Sequence, residues 1–141
     1  MGSEGAVSWL NTSLILTQEE CCTLENMLSN CVNGSILYRA TRDGFEASKF
    51  HATCDGKENT VTIIKNNFNY VFGGYTSAKW ASEGKWISDA QAFIFSLRRN
   101  GVSNNNKFLP INSSYAIYGH PNCGPAFGGG TFKYESFKKF Q

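Results

Sequence analysis

The chain predicts an α+β fold, and three observations carry that reading. Ile36 to Trp80 (ILYRATRDGFEASKFHATCDGKENTVTIIKNNFNYVFGGYTSAKW) passes from a short apolar strand through a charged turn and a brief helix into a β-hairpin. Strand, helix and hairpin periods succeed one another with turn residues between them, as a mixed unit requires. Further on, AFIFSL (Ala92 to Leu97) is the best candidate for a central buried strand. With 141 residues, of which 41% are hydrophobic and eleven are Phe, the chain fits one domain with a substantial core.

Met1 to Ser8 is small and polar and reads as a flexible tail. Its MGSEGA start departs from an N-myristoylation signal at Ala6, where Ser or Thr is wanted. Trp9 to Leu16 reads as an opening strand or extended arm. Thr17-Gln18-Glu19-Glu20 is a capping box, with Thr17 as cap and Glu20 reaching back to its amide. Cys21, Leu24, Met27, Leu28 and Cys31 follow at helical spacing, and Gly34 can end the segment. We expect a helix over 17–32, packed on the sheet.

Ile36, Leu37 and Tyr38 form the expected first core strand, and Arg39, Arg42 and Asp43 concentrate charge in the turn after it. Asp43 can cap the next helix, with Glu46 three residues on. The two arginines can recognise a partner's carboxylate or phosphate through planar forks. Equally, they can form an internal salt bridge that fixes the corner. The helix from Gly44 to Thr53 turns Phe45, Ala47, Phe50 and Cys54 inward, with His51 beside that face. His51 and Cys54, three residues apart, permit a nucleophile pair, but no orienting group or oxyanion hole can be named for them. Asp55 stands alone and suggests no metal site.

Val61, Ile63 and Ile64 are β-rich, Asn66 to Asn69 connects, and Tyr70, Phe72 and Tyr75 return on one face with Val71 on the other. Gly73 and Gly74 inside that strand indicate a bulge or a close backbone approach. The loop from Thr76 to Asp89 holds Trp80 and Trp86 among Lys79, Glu83 and Lys85. Its indoles either pack over the sheet edge or leave one exposed as an interaction anchor. After the central strand, Arg98 to Gly101 turns the chain, and Ser103 to Asn106 reads as an Asn-rich loop. Phe108 to Ile111 and Tyr115 to Tyr118 read as short strands, and His120 to Pro125 as a rigid turn.

Several of these segments carry a resemblance. LYRATRDGF, FHATCDGK, TVTIIK, VFGGYTSAKW, DAQAFIFSLRRNG, YAIYGH and GPAFGGG, in this order, resemble the TLDc domain family. The resemblance implies an antiparallel β-sandwich with flanking short helices. It also implies a part in oxidation resistance and binding to the peripheral, cytosolic sector of the vacuolar proton pump (the V-ATPase). It brings no agreed active site. On it we place the domain at 9–130, after a tail at 1–8. Residues 131–141 diverge: Thr131 to Phe137 alternates as one strand, but the family's acidic position after the Gly run is absent. The last strands are expected to be missing, which would leave an exposed sheet edge.

Charged residues reach 17%, below the usual level of about 25%, so Asn, Ser, Thr and Gly must supply much of the polar surface. A net charge of +2 argues for neither nucleic acid nor an anionic membrane. No signal peptide and no run long enough to insert in a bilayer is evident, which points to the cytoplasm. The five cysteines, Cys21, Cys22, Cys31, Cys54 and Cys123, are odd in number and lack zinc spacing. No metal, cofactor or catalytic set is expected. GxGxxG and P-loop patterns are absent.

The expected function is therefore non-catalytic protein binding, with Arg39, Arg42, Lys79 and Trp80 as exposed contact candidates. Cys22 and Cys54 are the candidate exposed redox thiols. The alternatives are a thiol-dependent antioxidant or hydrolytic enzyme using Cys54 with His51, or an inactive fragment.

Overall fold

The computed structural model describes residues 9–28, 34–110 and 112–128. A 3-10 turn (Trp9–Thr12) leads to helix α1 (Gln18–Met27), one-turn helix α2 (Ala40–Asp43) and helix α3 (Ala47–Cys54). Strands β1 (Thr60–Lys65), β2 (Val71–Thr76), β3 (Lys85–Ile87), β4 (Phe93–Arg99) and β5 (Val102–Phe108) follow. A second 3-10 turn (Ser113–Tyr115) precedes β6 (Ile117–Gly119). The strands make two antiparallel sheets, β1-β2-β4-β5 and β3-β6. This is the α+β architecture, antiparallel sheets with short flanking helices, that the sequence leads one to expect.

The four-stranded sheet lies between two apolar clusters. On one side Phe93, Phe95 and Leu97 of β4 and Val71 of β2 pack with Leu10 and with Cys21, Leu24 and Leu28 at α1. On the other, Phe50 and Cys54 of α3 meet Trp80, Ile117 and Phe127, with Ile94 of β4 against them. β4 alternates between the two sides from Phe93 to Leu97, and a register shift then turns Arg98 to the α1 side as well. Val71 and Tyr75 share the α1 side, so the expected grouping of Tyr75 with Phe72 is corrected by the pleat.

The capping box forms as read: Glu20 N–H donates to Thr17 Oγ1 at 3.1 Å, and Thr17 N–H to Glu20 Oε1 at 3.0 Å. Glu20 also accepts both arms of the Arg98 fork, at 2.7 and 2.8 Å, fixing α1 to β4. The rest of the expected helix, including Cys31, lies outside the described residues, as do the tail at 1–8 and the strand expected from Thr131. The glycine pair marks a close backbone approach. A Cβ at Gly73 would lie 1.8 Å from the Thr62 carbonyl oxygen, and one at Gly74 2.7 Å from the Phe127 ring.

Several expectations are corrected. Trp9 to Leu16 is no strand: after the 3-10 turn, Ser13 Oγ accepts from the Ile15 and Leu16 amides and bends the chain. Ile36 to Tyr38 joins no ladder, because the chain turns at once into α2 and the Leu37 carbonyl takes a bond from Arg42. Asp43 serves α2 instead of α3, accepting the Arg39 amide at 2.9 Å. Helix α3 begins only at Ala47, so Phe45 falls outside its phase and is 76% exposed. The Asn-rich loop is strand β5. Asn100 and Gly101 both take positive φ, making the two-residue turn that pairs the Asn run with β4. The Trp-bearing loop contains β3, whose Trp86 packs on Tyr118 of β6. Of the strand expected at Phe108 to Ile111, Phe108 ends β5, Leu109 and Pro110 are in no strand, and Ile111 lies outside the described residues; that expected at Tyr115 becomes β6 after a 3-10 turn. No helix among the described residues is long and apolar enough to cross a membrane.

Candidate functional site

The charged corner and the buried cluster beneath it hold most of the residues that the sequence singles out. At the surface, Arg42 grips the Asp43 carboxylate with Nε and Nη2, both at 2.7 Å. Arg42 and the Arg39 amide hold the Asp43 carboxyl down at about 2. Arg39 reaches back with Nη2 to the Thr12 carbonyl at 2.6 Å, tying the N-terminal turn to the corner. Tyr38 donates its hydroxyl to the Gly44 carbonyl, and burial raises its phenol above its ordinary range. The internal salt bridge is thus formed, with the Arg42 side chain still half exposed. Around it stand Phe45, 76% exposed, and Ile36 and Leu37, at 40% and 38%.

From Tyr38 an aromatic chain runs inward. Edge-to-face contacts join Tyr38 to Phe50 at 5.8 Å, Phe50 to Trp80 at 5.3 Å and Trp80 to Phe127 at 5.6 Å. Trp80 is 1% exposed and donates Nε1–H to Thr60 Oγ1 at 2.8 Å. The expectation of Trp80 as an exposed contact residue is corrected: so large an apolar group is buried where α3, β1 and the second sheet meet. Lys79 is exposed.

His51, also buried, holds three segments together. Its Nδ1 lies 2.6 Å from Asp55 Oδ1, and its Nε2 lies 2.8 Å from the carbonyls of both His120 and Cys123. Carbonyls only accept, so Nε2 carries the proton that the two share. Ser82 Oγ donates to the other oxygen of Asp55. The arrangement fastens the His120–Cys123 turn and the Ser82 loop to the end of α3. Sequence reading passed over Asp55 as isolated, although the four-residue spacing from His51 could have signalled the pair.

Both ring nitrogens face oxygen partners, and neither is bonded to the Cys54 thiol. Cys54 is 5% exposed, and burial raises its pKa. Its expected exposure is corrected, because it sits one helical turn from Phe50 on the inner face of α3. Cys22 is exposed beside buried Cys21, and Cys123 is half-buried. No group of three or more potential metal ligands occurs among the described residues.

Asp89 anchors the segment that leads to Lys79 and Trp80. Buried, it accepts from Thr76 Oγ1 at 2.6 Å, Ser77 Oγ at 2.6 Å, Ser77 N–H at 2.7 Å and Gln91 N–H at 3.0 Å. Desolvation works against its charge, but the bonds from Ser77, Thr76 and Gln91 together outweigh it and depress the pKa. A depressed folded-state value means that the contribution is present above the unfolded carboxyl range of about 4 and is lost as pH falls through the folded value. The stability advantage over Asp89→Asn is expected to be about 1–2 kcal/mol at neutral pH and to shrink steadily below pH ~4. Urea unfolding of both proteins across that range reads this out, and a pH-independent difference would disprove it.

Sheets, helices and corner together define a small antiparallel α+β scaffold that buries its titratable network and leaves an apolar, arginine-bearing corner in solvent. A sequence model of the TLDc domain matches residues 9–138, so the chain belongs to the TLDc domain family, associated with oxidative stress. That match extends through most of the segment at 131–141. Among curated proteins, the MTOR-associated protein MEAK7 of Danio rerio is 26% identical over 62 residues. The matched stretch covers 44% of this chain and 14% of that relative.

Proposed function

We propose that this chain is a non-catalytic, partner-binding domain of the cytoplasm. In this reading it protects against oxidative stress by docking on the peripheral, cytosolic sector of the vacuolar proton pump. It uses no cofactor, nucleic acid or membrane insertion. The observation that carries the reading is Phe45, a large apolar side chain left in solvent beside Arg39 and Arg42 on a braced corner. Exposed aromatics next to arginine are the composition of interface hot spots. Bracing lowers the ordering cost on binding.

The test is biolayer interferometry of the immobilised chain against purified peripheral sector. Phe45→Ala is expected to weaken binding about tenfold or more, equivalent to about 1.4 kcal/mol. Arg42→Glu is expected to weaken it further, and Cys22→Ser to leave it unchanged. Absence of binding, or binding indifferent to both corner variants, would refute the assignment. Affinity lost with the Cys22 thiol alone would place the contact at that exposed sulfur instead of the corner.

A further inference from the structure

Strand β5 ends the four-stranded sheet, and among the described residues no strand pairs with its outer side. All of its residues except Asn104 are exposed, whereas five of the six in β1, at the opposite edge, are half-buried. An open edge presents alternating N–H and C=O groups, a template for another strand unless proline, charge or a bulge protects it. The sequence VSNNNKF has no proline and one charge, Lys107, and its ladder with β4 carries one register shift, opposite Asn104 and Asn105. That ammonium is turned onto α1: it donates to the Met27 carbonyl at 3.2 Å and lies 4.3 Å over the Phe93 ring.

We propose that the outer edge of β5 pairs with β5 of a second copy of this chain, antiparallel about a two-fold axis through Asn105. The strand is complementary to itself in that register. Asn105 meets Asn105, Asn104 meets Asn106, Ser103 meets Lys107, and Val102 meets Phe108. Ser103, Asn105 and Lys107 lie on the α1 side, the first two lining a small cleft with Glu19 and Thr23. Val102 and Phe108 lie on the opposite face, 67% and 49% exposed. Two-fold pairing places one against the other at each end of the interface, with paired asparagine amides between and no like charges opposed. Sliding the register by one residue towards the turn sets Val102 against Lys107 and loses both apolar pairs. The product is one eight-stranded sheet.

Sedimentation equilibrium of the full chain over a concentration series tests the pairing, the dimer having twice the 15.6 kDa chain mass. The wild type is expected to shift towards dimer with rising concentration. Val102→Lys with Phe108→Lys opposes like charges at both ends and is expected to weaken association about tenfold or more. Val102→Lys with Phe108→Glu opposes unlike charges and is expected to recover most of that loss. Hydrogen exchange on the wild type supplies an independent reading, with the β5 amides expected to become protected as concentration rises. A monomer at every concentration, equal behaviour of the two double variants, or β5 exchange independent of concentration each overturns the proposal.

Discussion

Replacing Trp80 with alanine is expected to destabilise the chain by about 3–5 kcal/mol, the range for emptying a buried large aromatic site. The indole is 1% exposed and holds edge-to-face contacts with Phe50 on one side and Phe127 on the other. Its main chain is bracketed as well: Gly56 N–H donates to the Trp80 carbonyl at 2.8 Å, and Trp80 N–H to the Lys57 carbonyl at 3.3 Å. The surrounding elements are therefore pinned and poorly able to collapse into the space, which places the cost towards the upper end. Trp80→Phe keeps an aromatic body but leaves Thr60 Oγ1 without its donor, and about half the loss is expected. Chemical denaturation reads both. A Trp80→Ala protein within 1 kcal/mol of wild type would mean that the second cluster is not what joins α3 to the sheets.

The parts of the fold legible in sequence are those set by local chemistry or by a strong period. The capping box at Thr17 and Glu20 needs only residues three apart, and β4 announces itself by an alternation that serves both of its buried faces. The Gly73-Gly74 pair signals a close approach without naming what approaches. That partner, Phe127, is more than fifty residues away.

Illegibility has two physical sources. Short side-chain-to-backbone bonds redirect segments whose apolar content suggests strands, as Ser13 does for the N-terminal arm and Asp43 for the turn after Tyr38. Tertiary pairing also overrides propensity. Asn104, Asn105 and Asn106 are poor strand formers, but the Asn100-Gly101 turn delivers the run to β4, where Asn106 pairs with Ser96 and the register shifts across Asn104 and Asn105. The site divides in the same way. The Arg42–Asp43 bridge joins sequence neighbours and is readable, whereas exposure of Phe45 depends on where α3 begins. For Glu20 and Arg98, 78 residues apart, no local signal exists.

His51→Leu is expected to cost about 2–3 kcal/mol, because it deletes one group bonded to three acceptors. The Cys123 carbonyl loses its donor, the His120 carbonyl keeps only the Cys123 N–H, and Asp55 keeps only the Ser82 hydroxyl. An acceptor left without a partner carries a desolvation penalty of about 1–3 kcal/mol, moderated here because these groups are partly solvated. The double variant His51→Leu/Asp55→Leu removes the stranded carboxylate too. It should be less unstable than the two single losses summed, by at least about 1 kcal/mol. Reopening of the turn that Nε2 holds would appear as faster amide exchange at Cys123, whose N–H is bonded to the His120 carbonyl. A histidine kept for proton transfer behaves otherwise: its removal leaves stability near wild type and shows no coupling to Asp55. Additive energies in the double-mutant cycle would therefore sink the structural assignment of His51. A coupling of the stated size would place the imidazole among the groups that hold the Ser82 and His120 segments against α3.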